Sequence, residues 1–173
     1  MVATDGHRLS SAVGKIEGNL AITPRTLVPR KALAVMKRLL ENSDEKVEVS
    51  FGEGAIRLSR PGQVFWFRLL DGEFPDYQAV IPTENKHSAM LRKDDLASSL
   101  KRVMILVADR ARAVRFAFAS DELSIEVHSV DRGEVKETLP IELNGAEIAV
   151  GFNARYLVDI LGVIKGDRVV LEL

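Results

Sequence analysis

The chain has 173 residues, 46% of them hydrophobic and 28% charged, a balance that excludes intrinsically disordered and low-complexity architectures. Its 24 basic and 25 acidic residues leave a net charge of −1, so overall charge gives no sign of a nucleic-acid partner. The absence of cysteine excludes disulfides and thiol catalysis, and no apolar run is long enough to span a membrane. Because residues 1–20 lack an apolar signal segment, we expect a cytoplasmic protein.

The chain opens with a predicted β-hairpin. Residues 2–4 are strand-like, and Asp5, Gly6 and His7 are typical of the turn that follows. An acid/base pair formed by Asp5 and His7 is the alternative interpretation. We favour the turn, because no nucleophile accompanies these two residues.

Three amphipathic segments follow at regular intervals, each with apolar residues at the spacing of one helix face. Their first core leucines, Leu33, Leu96 and Leu157, are 63 and 61 residues apart, which indicates copies of one structural unit. The remaining predicted face positions are Met36 and Leu40; Leu100, Val103 and Val107; Ile160, Leu161 and Ile164.

Between the predicted helices, apolar and polar residues alternate with the period of half-buried antiparallel strands. Residues 47–58 form two such strands around a glycine-rich turn, and residues 114–127 repeat the pattern around Ser120 and Asp121. Further strands are predicted at 63–70, 134–143 and 169–173. The sequence therefore predicts an α+β fold of repeated modules, each with a helix covering an antiparallel sheet.

The polar segment 81–87 predicts a domain boundary, which gives domains 1–84 and 85–173. Strand-like sequence stands at both termini, where a complete sheet would leave open edges. We therefore expect the chain to be a piece of a longer protein, truncated at both ends.

Basic residues concentrate on the first two predicted helices. Such clusters are typical of proteins that bind a phosphate backbone, because lysine and arginine release counterions from it when they bind. The alternative is an ordinary solvated helix face. No aromatic residue interleaves with them, so duplex is favoured over single-stranded nucleic acid. The residues predicted to face DNA are Arg30, Lys31, Arg38, Lys101 and Arg102.

The sequence shows no catalytic or metal-binding signature. The three histidines are far apart, and no zinc-protease motif, glycine-rich phosphate loop or serine-hydrolase motif occurs. We therefore expect a protein that is not an enzyme and that needs no metal or other cofactor.

Three motifs resemble the bacterial DNA polymerase III beta subunit family, the sliding clamps. They are VATDGHRL at 2–9, DGEFPDY at 71–77 with Val80 and Pro82, and GFNARYL at 151–157, in the order and spacing of that family. The resemblance runs from end to end of the chain and covers the later part of the family's middle domain and most of its C-terminal domain. It implies the DNA clamp fold, in which repeated modules form a ring with helices lining the inside.

The resemblance implies a processivity factor that encircles duplex DNA in the full ring. Short linear peptides would tether the DNA polymerase III alpha subunit and the clamp loader to it. Where the family often has an arginine, this chain has Ala79, which alters one wall of the peptide pocket, and further pocket residues of the family lie outside this chain. The pocket residues implied here are Thr4, Gly6, His7, Arg8, Leu9, Pro75 and Val80.

The family's ring is a homodimer, closed between the N-terminal domain of one subunit and the C-terminal domain of the other. The resemblance assigns Ile105 and Leu106 to the apolar part of that contact, and Glu134 and Glu137 to its acidic part. We expect this chain alone to be a monomer or to associate through a different contact. The alternative function is an interaction module of the same fold that binds peptides or subunits without holding DNA.

Overall fold

The structure, a computed structural model, describes five stretches of the chain: 1–15, 26–41, 45–107, 113–129 and 133–173. They form two compact units. The first contains Met1–Ala3 and Ser10–Ile81, and the second contains Thr4–Leu9 and Pro82–Leu173. The change of unit after Ile81 lies within the polar segment predicted to connect two domains. No helix in the described stretches is long and apolar enough to cross a membrane.

The N-terminal hairpin is present as predicted. Strands β1 (Val2–Thr4) and β2 (Leu9–Ser11) form a two-stranded sheet. At its open end Met1 and Ala12 exchange main-chain hydrogen bonds, from the Ala12 N–H to the Met1 carbonyl at 2.9 Å and from the terminal ammonium to the Ala12 carbonyl at 2.7 Å. Gly6, in the connection between the two strands, has a φ of +86°, a conformation that glycine adopts without strain.

In the residues of the first unit that the structure describes, helix α1 (Arg30–Leu40) lies on a three-stranded antiparallel sheet. The strands, in sheet order, are β3 (Glu48–Gly52), β4 (Ala55–Arg60) and β5 (Gln63–Arg68). The register pairs Phe51 with Ile56, which confirms the predicted hairpin. The buried face of α1 differs from the prediction: Leu40 is 42% exposed, because the buried side runs through Ala32 and the half-buried Met36 and Leu39.

The described part of the second unit contains two antiparallel sheets and two helices. Its strands are β6 (Ser88–Arg92), β7 (Ala113–Phe118), β8 (Glu122–Ser129), β9 (Gly133–Pro140), β10 (Glu142–Asn144), β11 (Ile148–Asn153) and β12 (Arg168–Glu172). One sheet has the order β11-β7-β8-β9 and the other β10-β6-β12. The predicted strand 134–143 is divided between the two sheets at Ile141, whose N–H binds the Asp121 carbonyl at 3.0 Å.

Helix α2 (Lys93–Val103) covers this core with Leu96, Leu100 and Val103, all fully buried as predicted. Val107, the fourth predicted face position, lies beyond the helix end and is half-buried. Helix α3 (Ala154–Leu161) is capped by the preceding Asn153, whose side chain accepts the Arg155 N–H at 3.1 Å. The predicted α+β fold, with helices packed on antiparallel sheets, is confirmed.

Candidate functional site: the hairpin tip and the charged helices

The tip of the N-terminal hairpin is held in shape by its own polar side chains. Asp5 Oδ1 accepts the N–H groups of His7 and Arg8, both at 3.1 Å. Thr4 Oγ1 accepts the Gly6 N–H at 3.2 Å and donates to the Arg8 carbonyl at 2.9 Å. These short-range bonds fix the backbone of residues 4–8 before any ligand arrives.

Arg8 fastens this tip to helix α3. Its Nε donates to Asp5 Oδ2 at 3.1 Å, and its Nη1 donates to Asp159 Oδ2 at 2.8 Å. The guanidinium also lies 4.5 Å from the centre of the Tyr156 ring, within cation–π range. Asp159 and Tyr156 are absent from the predicted site because the contact joins residues 151 positions apart, and no local pattern signals it.

Hydrogen bonds at the tip stabilise the charged forms of Asp5 and Arg8. The hydrogen bond from the His7 N–H, followed by those from Arg8, holds the pKa of Asp5 below its ordinary value. The hydrogen bonds to Asp159 and then to Asp5 raise the pKa of Arg8. His7 remains exposed, and its imidazole makes no hydrogen bond to the described residues. The tip therefore presents an unengaged imidazole beside the half-buried Leu9.

The other predicted wall of the pocket lies at residues 74–80. Phe74 and Tyr77 are half-buried and pack edge to face, with ring centres 6.2 Å apart. A 3₁₀ turn (Tyr77–Val80) follows, and it leaves Val80 69% exposed; Pro75 is exposed as well. This wall belongs to the first unit and the hairpin tip to the second, so their meeting in one pocket stays a prediction.

The helix cations differ in their surroundings. Arg30, Lys31 and Arg38 of α1 are exposed and make no ion pair to the described residues, and Lys101 of α2 is likewise exposed and unpaired. Arg102 of α2 is different, because its Nε donates to Glu137 Oε1 at 2.8 Å.

The Arg102–Glu137 pair is completed by a buried hydroxyl. Ser99 Oγ donates to Glu137 Oε2 at 3.1 Å and accepts from Arg102 Nη2 at 2.9 Å. The hydrogen bond from Arg102 lowers the pKa of Glu137, and the same bond raises the pKa of Arg102. The structure thus brings together two residues that the sequence assigned to different surfaces.

The predicted ring-contact residues are distributed around the same unit. Ile105, just beyond α2, is 74% exposed. Leu106 is half-buried and packs against the core, so it offers a partner less surface than expected. Glu134 is exposed on β9, and its Oε2 lies 3.5 Å from His128 Nδ1. The exposed apolar surface at the end of α2 is therefore mainly that of Ile105.

Two protein-domain families match the chain, one after the other along the sequence. Residues 1–76 match the central domain of the DNA polymerase III beta subunit, and residues 78–173 match its C-terminal domain. Together the two matches account for nearly the whole chain and meet within the 3₁₀ turn Tyr77–Val80.

Individual relatives agree. The beta sliding clamp of Caulobacter vibrioides is 35% identical over 168 residues, which is 96% of this chain and 45% of that protein. The beta sliding clamp of Escherichia coli K12 is 33% identical over 99% of this chain and 47% of that protein. A crystal structure of the Pseudomonas aeruginosa sliding clamp bound to griselimycin superposes with a TM-score of 0.92, at 32% identity over 99% of this chain and 47% of that one.

The chain spans about half the length of the relatives it matches. Within that span, the domain matches, the identities and the fold agree from one end to the other. This chain therefore belongs to the DNA polymerase III beta subunit family.

Proposed function

We propose that this chain is part of a sliding clamp, a non-catalytic processivity factor that encircles duplex DNA and tethers the replicative polymerase. In the full protein the clamp would act in the cytoplasm as a homodimeric ring. The observation that carries the proposal is the match of both clamp domains, in order, across the chain. The ordered hairpin tip supports it, because the family resemblance places the peptide pocket there.

The peptide site would combine an apolar floor with a polar rim. Leu9, Pro75 and Val80 supply apolar surface, and the exposed imidazole of His7 can orient a bound main chain. Burying one apolar side chain of a peptide in such a site is worth about 1.5 to 3 kcal/mol before ordering costs. Short segments of the DNA polymerase III alpha subunit and of the clamp loader are the proposed ligands.

A fluorescence anisotropy titration tests this site. The probe is a labelled peptide that carries the clamp-binding segment of a DNA polymerase III alpha subunit. Leu9→Asp should weaken binding by about tenfold or more, because it places a charge on the apolar floor. Val163→Asp, at an exposed position beyond α3, is the matched control and should leave the affinity unchanged. Binding that Leu9→Asp leaves untouched would refute the site.

The ring and its channel form the second part of the proposal. Arg30, Lys31, Arg38 and Lys101 would face the phosphate backbone and allow sliding without base contacts.

The subunit contact of the full ring would be formed by Ile105 and Leu106, together with Glu134 and Glu137. If this chain associates alone through the exposed side chain of Ile105, Ile105→Glu should dissociate the oligomer in light scattering. An unchanged oligomer would exclude Ile105 from the contact.

One observation favours the second candidate, an interaction module that does not hold DNA. Arg102 is engaged by Glu137 and Ser99, so one of the five predicted DNA-facing cations is already neutralised. Titration of a labelled duplex in increasing salt separates the two functions. The clamp proposal expects weak binding that disappears with salt, whereas the module expects no binding at any salt concentration.

A further inference from the structure

We propose that Arg8 is a positioning residue: it holds the hairpin tip on helix α3 through Asp159, rather than binding an acidic group of the ligand. The inference rests on the proposed peptide site and assigns a role within it. It differs from what the resemblance implies, in which Arg8 is one of the residues that line the peptide pocket.

The guanidinium of Arg8 is already committed to the protein. Nε binds Asp5 at 3.1 Å, Nη1 binds Asp159 at 2.8 Å, and the flat face lies over Tyr156. The side chains of Arg8, Asp5 and Asp159 are all partly exposed, so a ligand could approach the group. A carboxylate that approached would meet one cation flanked by two anions, a local charge of −1. Electrostatics therefore disfavours Arg8 as the receptor for an acidic side chain.

Arg8 is also the polar link from the tip to α3. The bonds of Thr4 and Asp5 close the turn on itself. Within the described stretches, the bond from Arg8 to Asp159 is the one side-chain hydrogen bond that joins residues 4–9 to α3. Without it the turn would lose its fixed position beside Tyr156, and the bonds from the His7 and Arg8 amides to Asp5 would open more often.

A binding loop that is free to move must be ordered when its ligand binds, and this ordering lowers affinity. The pair between Arg8 and Asp159 is partly exposed, so its effect is that of a surface ion pair. Its loss should weaken peptide binding by roughly twofold to fivefold. A direct contact between Arg8 and a peptide carboxylate predicts the opposite sign, because removing the competing Asp159 charge would strengthen binding.

The experiment is a double-mutant cycle on the intact chain, read by the anisotropy titration with the alpha-subunit peptide. Asp159→Asn and Arg8→Ala should each weaken binding, and the double variant should be no weaker than Arg8→Ala alone, because both act through one contact. Asp159→Glu should retain most of the affinity. Asp167→Asn is the matched control, since its exposed carboxylate makes no hydrogen bond to the described residues.

Unchanged or tighter binding by Asp159→Asn would overturn the proposal, as would independent, additive losses in the cycle. Hydrogen exchange at the His7 and Arg8 amides gives a readout that needs no ligand. Exchange should be faster in Asp159→Asn while the free energy of global unfolding is unchanged, and equal exchange rates would contradict the positioning role. If the wild-type chain binds no peptide, the proposed peptide site fails, and the exchange rates still decide whether Asp159 holds the tip.

Discussion

The two units of this chain differ in how completely they enclose an apolar core. In the second unit, sixteen buried hydrophobic residues from both helices and both sheets form one cluster. In the described part of the first unit, only Ala32, Ile56 and Leu58 are buried. Because stability depends on apolar area removed from water, the second unit should be the more stable of the two.

The first unit also carries an open apolar groove under α1. Its lining residues are Met36, Leu39, Leu40, Val47, Leu58, Arg60 and Phe65. Arg60 closes one side by donating from Nη1 to the Leu39 carbonyl at 2.9 Å. The difference between the units shows that similar helix-on-sheet modules can be closed to different degrees in one chain. The same substitution should therefore lower the free energy of unfolding by different amounts in the two units.

The largest effect is expected for Leu100→Ala in the closed core. Leu100 is fully buried on α2, so its truncation should leave a cavity and lower the free energy of unfolding by about 2 to 5 kcal/mol. Urea denaturation followed by circular dichroism measures the loss. Leu70→Ala, at an exposed position in the first unit, is the control and should cost little.

Leu58→Ala makes the corresponding change in the first unit. Leu58 is buried but lines the groove under α1, so its neighbours can relax and the cost should lie near 2 kcal/mol. Strand β4 of this unit is paired on both sides, so hydrogen exchange of its amides follows the unfolding of the unit directly. Equal losses for Leu58→Ala and Leu100→Ala would show that the two cores are equally closed.

Local patterns predicted much of this fold. The hairpin 47–58 and the buried face of α2 follow from apolar spacing alone. Strands β6 and β11 are absent from the sequence prediction, because each runs directly into a helix and no turn separates the two patterns. The partners of β6, residues 142–144 and 168–172, are distant in sequence, so no nearby turn signals the pairing.

Long-range charge pairs were unpredictable for the same reason. The sequence analysis assigns Arg8 to the peptide pocket and Arg102 to the DNA-facing surface. Their partners, Asp159 and Glu137, lie 151 and 35 positions away in the sequence. Sequence spacing reports neighbours on one helix or strand, and these pairs are formed by packing between elements. The hairpin tip could therefore be identified as a candidate site, whereas its attachment to α3 could not.

The cations of α2 offer a comparison within the second unit. Lys101→Ala should weaken binding of a labelled duplex severalfold at low salt and reduce the slope against log salt by about 1. The double variant Arg102→Gln, Glu137→Gln removes a neutral pair and should leave the affinity near that of the wild type. A loss as large as that of Lys101→Ala would show that Arg102 contacts phosphate despite its partner.

The smallest effect concerns acid stability of the second unit. Hydrogen bonds from Lys136, then Arg115 and Ser124, lower the pKa of Glu126. Its ionised form is therefore favoured by folding. The resulting stability is fully present above the ordinary carboxyl pKa of about 4.3 and is lost as the pH falls through the lower, folded value. Urea denaturation at pH 7 and pH 3 should show a smaller loss for Glu126→Gln than for the wild type. An equal loss would contradict this.

The most direct test of the account is a crystal structure of this protein with the alpha-subunit peptide of the anisotropy titration. The two units offer it alternative apolar surfaces, the groove under α1 and the hairpin tip. We predict electron density for the ligand against residues 4–9, with Leu9 in contact and the Arg8–Asp159 pair intact. Density seated in the α1 groove, with the hairpin tip unoccupied, would contradict the assignment of the binding site.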